Sequence, residues 1–290
     1  MRVLKPFDYF EPETVEEASE LLSIHGGKAR VLAGGVDLIP RMRKGKTSAD
    51  RLVNIQKLPG MDLFEADETK GLKFGAMVRL RSLETSRVVR DKYPALYQAI
   101  HQISSLQAKT MGTAVGNLCV ATPASDVATT LLALGAKLTI AGGGSTREEP
   151  MESFYPEYGR TSLKKGQLVT AVTLPASTPG TGTAFLNLVR TCGDIAKVSV
   201  AVSVTMNDGV CMEARIAVGA VAPVVFRAVK AEAMLKGKKM DIGLIQEAAK
   251  AAAGATTPIT DLRSTADYRR EMTGVLVRRA LEKALDTLKA

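Results

Sequence analysis

The sequence contains no tryptophan, only two histidines and three cysteines, and aromatic residues make up just 4% of it. Each shortage removes a class of function. With few aromatics and basic residues spread along the chain, nucleic-acid binding through base stacking is poorly supported. Cys119, Cys192 and Cys211 are far apart and form no Cys-x-x-Cys pair. They fall short of the thiolate set that an iron–sulfur cluster normally takes, and a disulfide framework is not expected. All three are expected to be small buried apolar residues. His25 and His101 are too few for a usual metal site, so no metal ligand is assigned; His25 reads as a cap ahead of Gly26-Gly27. No Ser/His/Asp nucleophile system is visible, and no catalytic residue is assigned. No apolar run reaches the length of about eighteen residues that marks a membrane span. The N-terminal stretch Met1-Arg2-Val3-Leu4-Lys5-Pro6 lacks the apolar core of a signal peptide, which gives the expectation of a cytoplasmic protein.

What is present is ordinary for a soluble globular chain: 46% hydrophobic and 24% charged residues in 290. That length suits two or three units, each able to bury a core. The net charge of +9 fits anionic ligands or an acidic partner.

One stretch organises the rest. Met111-Gly112-Thr113-Ala114-Val115-Gly116-Asn117 reads as a small-residue loop, and Thr122-Pro123-Ala124-Ser125-Asp126 reads as the start of a helix that Gly135 stops. Thr122 is the expected N-cap. Backbone N–H groups in such a loop can approach a ligand closely, and a helix start adds free donors and a positive dipole end. Together they can hold a pyrophosphate. A second unit, Val31-Leu32-Ala33-Gly34-Gly35-Val36-Asp37-Leu38, is an apolar run that ends in paired glycines. Two such loops suit a ligand with two phosphates.

The periodicities predict a small β-α-β-type unit over residues 1–55. In it, Thr14 and Glu17 form a capping box for the first helix, strands run over 30–33 and 51–55, and a short helix covers 37–43. Residues 56–175 are expected to hold a hairpin over 63–76, helices over 80–88, 94–103 and 123–134, a hairpin around Gly142-Gly143-Gly144, and a strand over 168–174. Ala176-Ser177-Thr178-Pro179-Gly180-Thr181-Gly182 is the linker. Residues 183–290 read as an α+β unit. Strands over 183–189, 198–206 and 210–218 come first, with Asn207-Asp208-Gly209 as a hairpin turn. Helices over 227–236, 244–253 and 266–288 follow, the last capped by Ser264 and Asp267.

In order along nearly its whole length, the sequence resembles the FAD-binding (medium) subunit of the molybdenum hydroxylases, the xanthine dehydrogenase and carbon monoxide dehydrogenase type. Ala33-Gly34-Gly35-Val36-Asp37-Leu38 is similar to that family's first flavin motif. Met111-Gly112-Thr113-Ala114-Val115-Gly116-Asn117 is similar to the second, and Gly75-Ala76-Met77 to a strand end between them. Pro123-Ala124-Ser125-Asp126 matches the step after the second motif, and Arg190 with Asp194-Ile195-Ala196 matches an Arg-x-x-x-Asp segment. Val115, Lys109-Thr110 and Asn187 depart from the usual residues, respectively Gly, Arg-Asn and Lys.

The resemblance implies an α+β chain: a two-part FAD-binding domain of the vanillyl-alcohol-oxidase (PCMH) type, then a C-terminal domain of antiparallel sheet and helices. By the same resemblance Ala33, Gly34, Gly35 and Val36 cradle the pyrophosphate, with Asp37 and Leu38 completing the motif. Thr113, Gly116 and Asn117 hold phosphates and ribityl chain from the other side, and Asp126 meets flavin hydroxyls. Met111, Gly112, Ser125, Arg190 and Asp194 belong to the same cofactor set. Valine at Gly34 or Gly116 is expected to abolish flavin binding while leaving the fold largely intact. The implied partners are a molybdenum-cofactor large subunit and a [2Fe-2S] small subunit, with a dimer of heterotrimers among the assemblies. The implied work is electron transfer through FAD, with no cluster in this chain. A stand-alone flavin oxidoreductase and a flavin-free scaffold remain open as alternatives.

Overall fold

The computed structural model describes residues 4–103 and 105–288. Residues 1–3, where the N-terminal stretch considered above begins, lie outside the described part, as do 104, 289 and 290.

Three sheets organise the chain. The first is parallel, with β3 (Arg51–Asn54) between β1 (Asp8–Phe10) and β2 (Ala29–Leu32). The helix α1 (Val15–His25) follows β1. Thr14 caps it by accepting from the N–H of Glu17, while the Glu17 carboxylate reaches back to the N–H of Glu13. The expected box is therefore shifted by one residue on its return arm. Gly26, at φ +51°, ends the helix, and His25 stacks on Phe10. The helix α2 (Leu38–Arg43) joins β2 to β3. The strand β1 is short and half polar, so it gave no period-two signal.

The second sheet has the order β4-β5-β8-β6-β7: β4 (Phe64–Asp67), β5 (Gly71–Gly75), β6 (Lys137–Gly142), β7 (Ser145–Pro150) and β8 (Leu168–Leu174). Its helices are α3 (Leu80–Thr85), α4 (Arg87–Lys92), α5 (Pro94–His101), α6 (Leu106–Met111), α7 (Ala114–Cys119) and α8 (Asp126–Ala133). The single helix expected over 80–88 is two. Ser86 sits at ψ 124°, which ends α3, and its hydroxyl caps α4 through Val89 N–H.

The third sheet is antiparallel, in the order β12-β11-β10-β9: β9 (Thr181–Leu188), β10 (Val198–Asn207), β11 (Val210–Gly219) and β12 (Phe226–Arg227). Asp208 and Gly209 both have positive φ, as a type I′ turn requires. The strand β12 takes up the start of the expected helix over 227–236, so α9 (Val229–Leu235) begins later. After α10 (Ile242–Gly254) comes α11 (Ala266–Asp286), capped by Thr265 through Tyr268 N–H and not by Ser264 or Asp267. Ser264 instead pairs with Asp261 in a bridge.

Side chains alternate across a strand, and both faces of this third sheet are buried. Val198, Val200, Val202 and Val204 pack with Ala248, Ala252, Val277 and Ala280 of α10 and α11. On the opposite face, Phe185, Ala201 and Ala217 join the core formed by the first two sheets and their helices. That face is paved with small residues. A Cβ at Gly219 would meet Thr129 Oγ1 at 2.3 Å and Ser199 Oγ at 2.5 Å, so α8 lies close against the strands. No helix among the described residues is long and apolar enough to cross a membrane.

Arg269 of α11 is a buried polar anchor. Its guanidinium donates to the carbonyls of Lys197 and Ala220 at 3.0 Å and to Asp261 at 2.7 Å. Burial works against charge on Asp261, yet backbone N–H groups and Arg269 hold its carboxyl down to about 2. Arg269→Ala leaves two carbonyls without their donor, while Asp261 keeps Arg263 and Ser264, so it is expected to cost about 1–3 kcal/mol. Urea unfolding of the variant beside the parent measures this as a lower midpoint at unchanged slope.

Candidate functional site

The two glycine motifs, far apart in sequence, touch through their backbones. A Cβ at Gly34 would lie 2.0 Å from the Met111 carbonyl oxygen, and one at Gly112 would lie 3.7 Å from Val36. Arg79, just before α3, clamps the junction from the side, its guanidinium donating to the Met111 carbonyl. Leu80 N–H donates to Gly112 O (3.0 Å) and Ala114 N–H to Val78 O (3.4 Å), pairing Arg79 with Thr113 in a bridge. The Gln56 amide holds the first loop through Ala33 O at 2.7 Å. Arg79 and Gln56 carried no motif signal.

The first loop has the expected character. Gly35 sits at φ +69°. Among the described residues, nothing accepts a hydrogen bond from the N–H groups of Gly34, Gly35, Val36 or Asp37. Successive unpartnered amides of this kind form an anion-binding concavity. Asp37 precedes α2 and pairs with Arg41 at 3.5 Å. A cavity of about 480 Å³ opens beside the junction, lined by Gln56, Asp62, Phe64, Met77, Arg79 and Ser82.

The second motif differs from the expectation. It is not an open loop, because residues 114–119 form α7, capped by the Thr113 hydroxyl accepting from Gly116 N–H at 2.9 Å. The N–H groups of Gly112, Gly116 and Asn117 are satisfied by Ala108 O, Thr113 Oγ1 and Thr113 O. The N–H of Thr113 is not, so this side of the site offers fewer backbone donors than the sequence suggested. Gly116 lies inside the helix, and a Cβ there would crowd Thr113 Oγ1 at 2.8 Å.

The following helix also starts later than expected. Thr122 makes only a turn contact with Ala124 N–H (3.4 Å), and the cap is Ser125, accepting from Ala128 N–H at 2.9 Å. Gly135, at φ +69°, lies just beyond the end of α8. The Ser125 hydroxyl also donates to Asn117 Oδ1 at 2.5 Å, tying the second motif to α8. Asp126 is therefore the first residue of α8, against the third sheet. Asn187 on β9 and Ser199 on β10 are cross-strand partners on that face. Asn187 donates to Asp126 Oδ2 at 3.0 Å, and the Ser199 hydroxyl pairs with Thr129 of α8 at 3.3 Å. Asp126 Oδ1 is buried with no partner. Burial pushes this carboxyl up to about 6 against the pull of Asn187 and Ser199. A buried acceptor without a donor is costly unless a ligand supplies one.

Arg190 and Asp194 pair with each other at 3.3 Å in the turn after β9, and no described contact ties them to the two motifs. Cys119, at the end of α7, and Cys192, in the turn after β9, are exposed, contrary to expectation; Cys211 is buried in the second core. Among the described residues, no three His, Cys, Asp or Glu side chains gather into a metal-binding group.

The contact at Gly34 changes what substitution there does. A side chain would strike the Met111 backbone before it met any ligand, so the expectation of an intact fold with Gly34→Val does not stand. Gly34→Ala is expected to destabilise the flavin-free protein by about 1–3 kcal/mol through overpacking, read as a lowered thermal midpoint. An unchanged midpoint would mean that the two loops are not pressed together in solution.

The comparisons agree with this arrangement. The family model described as the FAD binding domain in molybdopterin dehydrogenase matches residues 5–177, and that of the CO dehydrogenase flavoprotein C-terminal domain matches 183–284. The chain is 32% identical to the carbon monoxide dehydrogenase medium chain of Afipia carboxidovorans, covering 96% of each. It is 30% identical to the glyceraldehyde dehydrogenase medium chain of Sulfolobus acidocaldarius, covering 96% of this chain and 98% of that one. A solved carbon monoxide dehydrogenase from Hydrogenophaga pseudoflava, which lacks the Mo-pyranopterin moiety of its cofactor, superposes with a TM-score of 0.94 at 33% identity. It covers 97% of this chain and 98% of its own. Matched by these two family models over nearly its whole length and by relatives at 30% identity or more, the chain belongs to the FAD-binding medium chains of the molybdopterin dehydrogenases.

Proposed function

We propose that this chain is the electron-transfer subunit of a cytoplasmic molybdenum hydroxylase. In this reading it collects electrons from the [2Fe-2S] clusters of a small partner subunit and delivers them to an acceptor. A large molybdenum-cofactor subunit oxidises the substrate, and units 1–55, 56–175 and 183–290 divide the work of holding the flavin. One observation carries the reading: unpartnered donors on the first loop and an unpartnered acceptor on α8 sit on segments that the second motif ties together. The free N–H groups of Gly34 to Asp37 suit a pyrophosphate, and Asp126 Oδ1 suits a hydroxyl donor, so the residues present fit FAD.

Bound there, FAD supplies exchange between one- and two-electron chemistry. The chain's own residues do the rest. Ala33, Gly34, Gly35, Val36 and Asp37, leading into Leu38, present the amide concavity. Met111, Gly112 and Thr113 close it from the second side. Asn117 and Ser125 lock that side to α8, and Asp126 accepts a ligand hydroxyl. Arg190 and Asp194, paired with each other in the turn after β9, are the remaining members of the proposed cofactor set. Co-expression with the two partner genes tests the subunit reading. Anaerobic addition of carbon monoxide, glyceraldehyde or N-heterocyclic substrates should bleach the flavin absorbance only in the three-subunit complex. Equal bleaching of the isolated chain would favour a stand-alone oxidoreductase.

Asp126 gives a pH signature. Its carboxyl titrates at about 6 in the flavin-free chain. A donated hydroxyl favours the ionised form, so binding lowers that value and releases a proton. FAD affinity should therefore rise as pH climbs through about 6 and level off above it. Fluorescence titrations between acid and neutral pH measure the slope, and Asp126→Asn should flatten it.

A further inference from the structure

The second flavin loop is carried by α6, and α6 is held in an unusual way. Its outward residues include Leu106 and Met111, which are 57% and 51% exposed. The only buried side chain on the helix is Lys109. A short amphipathic helix ordinarily docks through an apolar stripe, and α6 has none. Its anchor is a charge. Lys109 Nζ lies 2.6 Å from Glu84 Oε1 on α3, and both side chains are buried. Lys109 also reaches His101 O at 3.4 Å. Glu84 is saturated from the other sides: Arg81 donates to Oε2 at 2.7 Å, and His101 Nδ1 lies 3.0 Å from Oε1. Burial works against its charge, yet Lys109, Arg81 and His101 together hold the carboxyl below its ordinary value.

The short helix α3 thus grips the α6 segment at both ends. At its start, Arg79 and Leu80 bond the carbonyls of Met111 and Gly112. At its end, Glu84 bonds Lys109. The carbonyl held by the first grip is the one pressed on Gly34. Any tilt of α6 about the Arg79 contact moves Met111-Gly112-Thr113 relative to the free amides of Gly34 to Asp37.

We propose that the buried Glu84–Lys109 pair is the positioning element of the flavin site. It touches no flavin, and it sets FAD affinity by fixing the angle of α6 and hence the spacing of the two loops. This rests on the FAD reading above, and the test separates the two. In Lys109→Met, which removes the ammonium and keeps the stem, the Kd for FAD should rise about tenfold or more, because the tie between α3 and α6 is lost while Arg81 and His101 stay on Glu84. Hydrogen exchange of amides 105–113 in the flavin-free full-length chain should quicken, while amides of β8 and β10 stay protected, since neither apolar core includes α6. Lys109→Arg, which keeps the charge and can keep the bond, should return both readouts to near the parent values. Parent-like FAD affinity and exchange in Lys109→Met would overturn the proposal. So would a loss in Lys109→Met that Lys109→Arg shares in full, because that marks a packing role and not a charge-held one. If Lys109→Met does not fold, the same readouts in Glu84→Gln decide: faster exchange at 105–113 with weaker FAD binding supports the pair, and unchanged values refute it. A parent chain that binds no FAD yet shows the exchange pattern would sink the flavin reading and leave the brace standing.

Discussion

Everything at the site depends on one contact that has no side chain in it. Gly34 meets the Met111 carbonyl so closely that no Cβ fits between them. Glycine is used here less for unusual dihedrals than for thinness: it lets the loop after β2 and the end of α6 share one van der Waals boundary. The neighbouring Gly35 carries the conformational freedom, at φ +69°. With the segments fused, the unpartnered amides of the first loop face a fixed second wall. Arg79, Gln56 and Glu84–Lys109 then act as buttresses around a contact that backbone sterics have already defined.

The third sheet completes the site by a different means. Because Asn187 and Ser199 are cross-strand neighbours, they present an amide and a hydroxyl side by side. Both meet the first turn of α8: the amide bonds Asp126 and the hydroxyl bonds Thr129. The small residues on this face, Ala201, Ala217 and Gly219, bring α8 near enough for that contact. The positive end of the α8 dipole favours a charged Asp126, while burial opposes it. The balance leaves a carboxyl that titrates close to neutrality and has one oxygen to spare.

Much of this was legible in the sequence. Long elements with clean periodicity, β8, β10, β11 and α11, were read to within a few residues, and Asn207-Asp208-Gly209 announced its turn. The glycine motifs pointed to two segments that the fold presses together. What could not be read were features set by tertiary partners. Thr113 and Ser125 turn a glycine-rich stretch into capped helices, and propensity alone cannot choose Ser125 over Thr122 as a cap. The helix α6 left no apolar signature because its anchor is Lys109, which any binary pattern assigns to solvent. The strand β1 is too short to show alternation. Cys119 and Cys192 were placed inside on residue type alone, and burial follows neighbours, not type. The free Asp126 oxygen is a property of three strands of sequence meeting, and no one of them carries it.

The two-faced third sheet has a consequence for how the chain can be divided. Residues 176–180 look like a hinge between independent pieces, and genetics could cut there. Yet Phe185, Ala201 and Ala217 are buried by α5 and α8 from before that point. Phe185 N–H is even satisfied by the Gln98 side chain. A fragment ending near 176 would expose the outer sides of those helices, and one starting there would expose a flat apolar sheet. Either piece alone would be sticky, so during synthesis the first part must wait, incompletely sealed, until the last strands emerge from the ribosome.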